Sequence, residues 1–197
     1  LGNFFTVREI SEKYDLQVLR FFMLNAHYRS PLNFSAELMQ SSKAGLDRIV
    51  TAADNLKHLA ASAKDGGMTE SELAHYDASE EFVKKFEEAM DDDFNTADAI
   101  SSIFELVKYL NTHTGADNSK EYLQKCLERL KTLCDILGLV IEKKEELLDA
   151  DVEALIAERQ QARKEKNFAR ADEIRAELLE KGIVLEDTRE GVKWKRA

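Results

Sequence analysis

Cationic side chains that could bind phosphate are concentrated at the C-terminal end of the sequence. Residues 159–197 contain 11 Lys or Arg against 8 Asp or Glu, whereas residues 1–158 contain 17 against 30. Phosphate binding requires Lys and Arg and depends on salt. The candidates are Lys164, Lys166, Arg170, Lys193, Lys195 and Arg196. They alternate with Glu165, Glu173 and Glu177, so a mixed surface of i,i+4 ion pairs also explains the pattern.

The acidic run Asp91–Asp93 and the histidines form no recognisable metal or catalytic pattern. A twelve-residue calcium loop beginning at Asp91 would need Gly and Glu where the sequence has Thr96 and Ser102. Helix capping by Asp93 or Asn95 explains the run better. The histidines lie in separate segments, at His27, His58, His75 and His113. We therefore expect no catalytic residue and no metal site.

The two cysteines, Cys126 and Cys134, are eight residues apart in an apolar helical pattern. Zinc ligands on one helix usually lie about three to five residues apart. The spacing therefore predicts buried, unpaired thiols on one helix face. Such thiols are typical of a reducing compartment, so we expect a cytoplasmic protein.

Composition and apolar periodicity predict a mainly α fold, an antiparallel helix bundle followed by a small α+β unit. Leu, Ala, Glu and Lys are abundant, and Pro31 is the single proline. Apolar periodicity predicts helices over residues 16–27, from Ser35 to about 63, over 79–91, over 151–166 and over 168–181. A short helix is predicted to start at Thr6, another helix to start at about residue 96, and a further one to end before Gly138. Residues 183–186 and 192–195 read as a hairpin. The acidic stretch 142–150 is predicted to be a linker.

Three stretches of the sequence resemble the cysteinyl-tRNA synthetase family. The first comprises Leu1–Thr6, Leu19–Arg20 and Ala26–Phe34, the second is Met90–Ala97, and the third comprises 162–164, 167–172 and 182–187 with Gly191 and Trp194. In the family, the segment like Leu1–Thr6 follows a Lys-Met-Ser-Lys-Ser loop, so we expect catalytic sequence upstream. The family more often has Pro at the position of Ala97. The order of the three stretches makes coincidence improbable.

The resemblance implies the C-terminal half of a class I enzyme that activates cysteine with ATP and transfers it to its tRNA. Zinc, and ATP with magnesium, are implied for a catalytic half whose motifs are absent from these residues. This part alone is therefore expected to be inactive. By resemblance, residues 1–34 lead out of the catalytic region, residues 35–141 form the helical bundle, and both contact the tRNA stem. Residues 151–197 form the anticodon-binding domain of an enzyme expected to be a monomer.

The resemblance also implies which residues read the anticodon, because loop bases are recognised at their edges and by stacking. Arg163 can donate two parallel hydrogen bonds. Asp172 and Asp187 can accept from the Watson–Crick edge of guanine. Phe168 and Trp194 can stack on bases, although burial in a small core explains Phe168 equally well and Trp194 better.

Two other functions fit parts of the sequence. A helical scaffold without an RNA partner fits the acidic bundle but leaves the basic terminal unit unexplained. A related ligase that joins cysteine to a small amine shares the first part of the sequence, but such relatives lack a unit like residues 151–197. Tyr28 and Arg29 could touch the tRNA, or they could hold the chain against the bundle.

Overall fold

The computed structural model describes residues 6–142, 149–165, 167–188 and 191–196. The chain divides into two compact units, Leu1–Lys143 and Lys144–Ala197. The predicted mainly α fold is confirmed. Among the described helices, none is long and apolar enough to cross a membrane.

The described part of the first unit is helical. Its helices are α1 (Val7–Ser11), α2 (Leu16–Leu24), α3 (Ala36–Ser62), α4 (Glu70–Ala78), α5 (Glu80–Asp91), α6 (Thr96–His113) and α7 (Lys120–Ile136). Most begin at a short polar side chain that accepts a hydrogen bond from a backbone N–H in the first turn. These capping residues are Thr6, Asp15, Ser35, Thr69, Asn95 and Ser119.

The core of this unit lies between α3, α6 and α7, with α2 and α5 packed around them. Its fully buried side chains include Met39, Ile49, Ile103, Leu106, Leu123 and Leu130. Cys126 and Cys134 are also buried and unpaired, as predicted. Burial raises the pKa of Cys126 to about 11 and that of Cys134 to about 12. Both thiols therefore stay protonated at neutral pH and act as small apolar side chains.

The predicted end of α7 at Gly138 is confirmed. Gly138 adopts a φ of 64°, and its N–H donates to the Asp135 carbonyl at 2.9 Å. The Leu139 N–H donates to the Cys134 carbonyl, also at 2.9 Å. These two bonds form a Schellman motif, in which a residue without a side chain is favoured at the left-handed position. A Cβ at Gly138 would also lie 2.9 Å from Nη1 of Arg20.

Helix α2 was predicted to continue to His27, and this boundary was wrong. The helix ends at Leu24, and the following residues form a turn. The Leu24 carbonyl instead accepts a hydrogen bond from Oγ1 of Thr96 at 2.8 Å. Tyr28 and Arg29 instead contact Asp93, which is far away in sequence. The helix therefore ends before Pro31, and the residues that follow it make tertiary contacts.

Helix α4 was missed by the sequence analysis because it lacks an apolar stripe. Its one buried residue, Glu72, is charged. The start of the helix was nevertheless marked in the sequence. Thr69 and Glu72 form a capping box, in which each side chain accepts from the other residue's backbone N–H.

Glu72 joins the beginnings of two helices. Its carboxylate accepts from the Thr69 N–H at 2.9 Å and from the Ser119 N–H at 2.7 Å. The side chains of Ser119 and Asn118 donate to it as well, at 2.9 and 3.0 Å. Burial alone would raise the pKa of Glu72, but these hydrogen bonds outweigh burial and lower the pKa to about 2.

The second unit contains α8 (Asp149–Lys164), α9 (Phe168–Glu180), β1 (Ile183–Thr188) and β2 (Gly191–Arg196). The strands pair antiparallel, with Leu185 opposite Trp194, so the predicted hairpin is confirmed. Gly182 follows α9 with a φ of 76°. The small core consists of Val152, Ile156, Ile174, Leu178, Ile183 and Leu185, with Leu155 and Trp194 against it. A two-stranded hairpin is marginal alone, and packing on α9 supplies its apolar cover.

Replacing Glu72 with glutamine should destabilise the first unit by about 1–3 kcal/mol at neutral pH, because an amide cannot accept from all these donors. The folded pKa is lower than the ordinary value of 4.5, so the stabilisation is present above that pH and is lost as pH falls towards about 2. Urea unfolding followed by circular dichroism at several pH values would measure both effects. The control is Glu121→Gln, which removes an exposed pair with Lys125 and should change stability little. If the free energies of unfolding of Glu72→Gln and the unmodified protein differed by the same amount at every pH, the carboxylate would not be the source of the stabilisation.

Candidate nucleic-acid interface

The turn between α8 and α9 is built by Asn167. Its backbone N–H donates to the Ala162 carbonyl at 2.8 Å, which closes the end of α8. Its side chain accepts from the Arg170 N–H at 3.2 Å, which caps the start of α9. Because of this double role, α9 begins at Phe168, next to the basic last turn of α8.

Phe168 and Asp172 lie on one face of α9, since they are four residues apart. Phe168 is 61% exposed, so it is not the core anchor that the sequence also allowed. Asp172 is exposed as well. An aromatic ring beside a carboxylate can offer a nucleobase both a stacking surface and a hydrogen-bond acceptor.

Arg163 and Lys164 form the basic last turn of α8. Both are exposed, and they lie a short turn before Phe168 in the chain. Cations at this position also complement the negative end of the helix dipole, so their presence has a structural explanation too. Lys166 lies outside the described residues.

Trp194 has a different environment from Phe168. It is half-buried, pairs with Leu185 across the hairpin and packs against the terminal core. These contacts agree with burial in the small core, which the sequence favoured over stacking for Trp194. The part of its surface that remains exposed is the part available to a ligand.

The hairpin contains the remaining predicted site residues. Asp187 is paired with Val192 in the strand register, and Lys193 is paired with Glu186. Lys195 and Arg196 pair with Val184 and Ile183. The side chains of Asp187, Lys193, Lys195 and Arg196 lie outside the described residues.

Arg170 is engaged within the protein. Its Nε and Nη2 atoms lie 3.0 and 2.9 Å from Oε1 of Glu158 on α8, and its Nη1 lies 3.2 Å from Glu173. Hydrogen bonds to Glu158 and Glu173 raise the pKa of Arg170. The side chain therefore ties α9 to α8, which is the ion-pair alternative that the sequence left open.

Arg159 was not recognised as a core residue from the sequence, although it is only 4% exposed. Its position contained a usable signal. Val152, Ile156 and Ala162 are all buried on α8, and Arg159 falls in the same row at helical spacing. A basic residue in an apolar stripe indicates a long side chain that packs along the helix.

In the first unit, Asp93 holds the segment that follows α2. It accepts hydrogen bonds from the Tyr28 hydroxyl at 2.8 Å and from Arg29, whose Nη2 lies 2.9 Å from Oδ2. The hydrogen bond to Asp93 raises the pKa of Tyr28. His27 stacks on the Tyr28 ring with centroids 4.8 Å apart. Tyr28 and Arg29 thus hold this segment against the α5–α6 turn, which is the structural role that the sequence allowed for them.

The described residues include no group of three or more His, Cys, Asp or Glu side chains that could hold a metal ion. Cys126 and Cys134, which are both buried, belong to no such group.

Three family models match successive parts of the chain. Residues 1–44 match the tRNA synthetases class I (C) catalytic domain, residues 85–142 the DALR domain, and residues 145–194 the cysteinyl-tRNA ligase anticodon binding domain. The chain is also 68% identical, over all 197 residues, to a protein of Lachnospira eligens named cysteine-tRNA ligase. The chain belongs to the cysteinyl-tRNA synthetase family.

Two more proteins named cysteine-tRNA ligase extend this comparison. The one from Lachnoclostridium phytofermentans is 59% identical over 201 aligned residues that cover the whole chain. The one from Clostridioides difficile is 49% identical over 99% of the chain. The chain spans about two-fifths of the length of these relatives, 42% to 43%.

One family match begins near the boundary between the two compact units, and another ends inside a helix. The anticodon-binding match begins at residue 145, next to the division between the units. The catalytic-domain match continues to residue 44, inside α3. The sequence that resembles the catalytic domain therefore extends past residue 34.

Replacing Phe168 with alanine should leave the stability of the terminal unit nearly unchanged, because the ring is mostly exposed. Replacing Ile174, which is fully buried, with alanine should lower the free energy of unfolding of this unit by about 2–5 kcal/mol. Trp194 is the only tryptophan in the chain, so its fluorescence during urea unfolding reports on this unit alone. Equal losses in the two variants would show that Phe168 is a core residue after all.

Proposed function

We propose that this chain is the tRNA-binding portion of a cysteine-tRNA ligase and that its terminal unit recognises the anticodon. The proposal is supported by two features that occur together in the terminal unit. Residues 145–194 match an anticodon-binding family model, and the same unit exposes an aromatic ring, a carboxylate and a basic helix end.

In this proposal Phe168 stacks on an anticodon base, which is worth about 1–3 kcal/mol per base. Asp172 accepts from the N1–H and exocyclic amine of guanine, and Asp187 is the second candidate for this role. Arg163 donates its two parallel N–H groups to a base edge or a phosphate. Trp194 contributes only its exposed part, because the rest of the ring packs on the core.

The carboxylates supply discrimination more than affinity. A carboxylate near RNA is repelled by phosphate, and only a matching pair of donors on a base offsets that cost. A loop without guanine at this position would leave the carboxylate of Asp172 unpaired. Affinity must come from stacking and from cations such as Lys164, with Lys166, Lys193, Lys195 and Arg196 as further candidates. Arg170 contributes less to phosphate binding, because its guanidinium group is hydrogen-bonded to Glu158 and Glu173.

For the whole protein we propose the activity that its relatives' names state, attachment of cysteine to its tRNA, with ATP and magnesium for activation. Zinc would select cysteine in the catalytic region, and no described residue of this chain is assigned to that step. We further propose a monomer that acts in the cytoplasm. The buried, unpaired thiols of Cys126 and Cys134 support a reducing compartment.

The test is a titration of this chain, by fluorescence anisotropy, against a cysteine-tRNA anticodon stem-loop and a copy with its first anticodon base changed. Tighter binding to the cognate loop is expected, with both affinities falling as salt rises. Equal binding to the two loops would mean that the terminal unit contacts only the RNA backbone and does not read this base. Absence of binding at low salt would favour a helical scaffold.

Variants should separate stacking from base reading. Phe168→Ala should weaken binding to both loops by about 1–3 kcal/mol. Asp172→Asn should narrow the difference between the loops, because the carboxylate reads the changed base. Glu180→Gln, at the exposed C-terminal end of α9, is the matched control and should leave the discrimination unchanged. Intact discrimination in Asp172→Asn would remove this residue from the reading site.

A further inference from the structure

The loop between α3 and α4, residues 63–69, contains a dipeptide that can react with itself. Asp65–Gly66 is the only Asp-Gly pair in the sequence, and Asn-Gly does not occur. In such a pair the glycine backbone nitrogen can attack Cγ of the aspartate. A C–N bond forms, the C–O bond to the carboxyl hydroxyl breaks, and water leaves. Water then opens the five-membered imide at either carbonyl, giving aspartate or isoaspartate without any other reactant.

The fold leaves this pair free to reach the reactive geometry. The Asp65 side chain is 88% exposed. A Cβ placed on Gly66 would meet nothing within 4 Å, and the next residue, Gly67, is again a glycine. Two adjacent glycines give the backbone wide conformational freedom. Among the described residues, none accepts a hydrogen bond from the Gly66 nitrogen, so the attacking atom is not held in place.

Lys120 slows the reaction without preventing it. Its Nζ lies 2.9 Å from Oδ1 of Asp65, and this hydrogen bond lowers the pKa of the Asp65 carboxyl. The leaving group is the hydroxyl of the protonated carboxyl, so a partner that favours the carboxylate reduces the reactive fraction. An exposed ion pair is weak, and the carboxyl therefore still samples the protonated form.

A second susceptible pair nearby is protected by the fold. Asn118–Ser119 is of a type that also cyclises, through attack of the serine nitrogen on the amide. Here the Ser119 N–H donates to Glu72 at 2.7 Å, and the Asn118 amide group donates to Glu72 at 3.0 Å. The Asn118 carbonyl oxygen accepts from the Gly115 N–H at 2.7 Å. Both the attacking nitrogen and the side chain it must reach are fixed.

We propose that Asp65 is a site of spontaneous isoaspartate formation in the folded protein, whereas the Glu72 contacts protect Asn118. The product would be a substrate for enzymes that methylate isoaspartyl carboxyl groups. An isoaspartate adds one methylene to the backbone and displaces the carboxylate that faces Lys120. The neighbouring Lys64 carbonyl, which accepts from the Lys120 N–H at 3.3 Å, would shift too. The modification should therefore loosen the start of α7.

The experiment is incubation of the folded chain at neutral pH and physiological temperature. Isoaspartate is quantified over time by enzymatic methylation and placed by peptide mapping with mass spectrometry. A synthetic peptide of residues 61–70 serves as the unfolded reference. We expect isoaspartate, preceded by a species lighter by one water, at residue 65 in both the chain and the peptide. We expect none at residue 118 of the folded chain, but formation there once the chain is unfolded in urea.

Three variants test the mechanism, each checked for folding by circular dichroism. Gly66→Ala, which fits the open space and an ordinary φ, should lose the modification because a side chain hinders the attacking nitrogen. Lys120→Ala should raise the initial rate by roughly two- to five-fold, as expected for losing one exposed ion pair. Lys125→Ala removes a comparable lysine of α7, paired with Glu121, and should leave the rate unchanged.

The proposal is overturned if the peptide reacts and residue 65 of the folded chain does not, or if neither reacts. Equal modification at residues 65 and 118 of the folded chain would overturn the protective role of Glu72. An unchanged rate in Lys120→Ala would overturn the role of the ion pair.

Discussion

The backbone N–H groups at the start of a helix need acceptors, and much of this structure depends on how they are satisfied. Glu72 is the clearest case, because one buried carboxylate serves the beginnings of both α4 and α7. It is buried at the cost of desolvation, and the number of donors around it makes the charged form stable. The position of α7, which contributes Leu123 and Leu130 to the core, is thereby linked to a helix that contributes almost no apolar surface.

The same constraint sets the geometry of the proposed RNA-reading unit. Asn167 closes α8 and caps α9, and this places Phe168 at the first position of α9, where its ring is exposed. Arg170 then fastens α9 to α8 through Glu158. A mostly exposed aromatic ring contributes little to the folding of such a small unit, so its presence at this position is better explained by a ligand than by the core.

Asp93 and Phe94 show where local conformation is subordinate to contacts distant in sequence. Both residues have positive φ values, 56° and 53°, which is unfavourable for a residue with a side chain and typically costs about 1–3 kcal/mol. The turn puts the Asp93 carboxylate within reach of Tyr28 and Arg29, and these contacts help to hold it. Thr96 adds a bond to the last carbonyl of α2. The junction between α5 and α6 thus fixes the segment that follows α2.

The sequence by itself determined the long amphipathic helices, the helix end at Gly138, the break at Asn167 and the hairpin, because each follows from periodicity or from one residue's backbone preference. Its motifs also indicated the family. Only the tertiary structure decided that α4 exists, since its buried Glu72 is stabilised by donors on the α6–α7 connection. It also decided that α2 stops at Leu24, that Arg170 is engaged and that Phe168 is exposed. Periodicity reports which residues share a face, but partners far apart in sequence decide what each face meets.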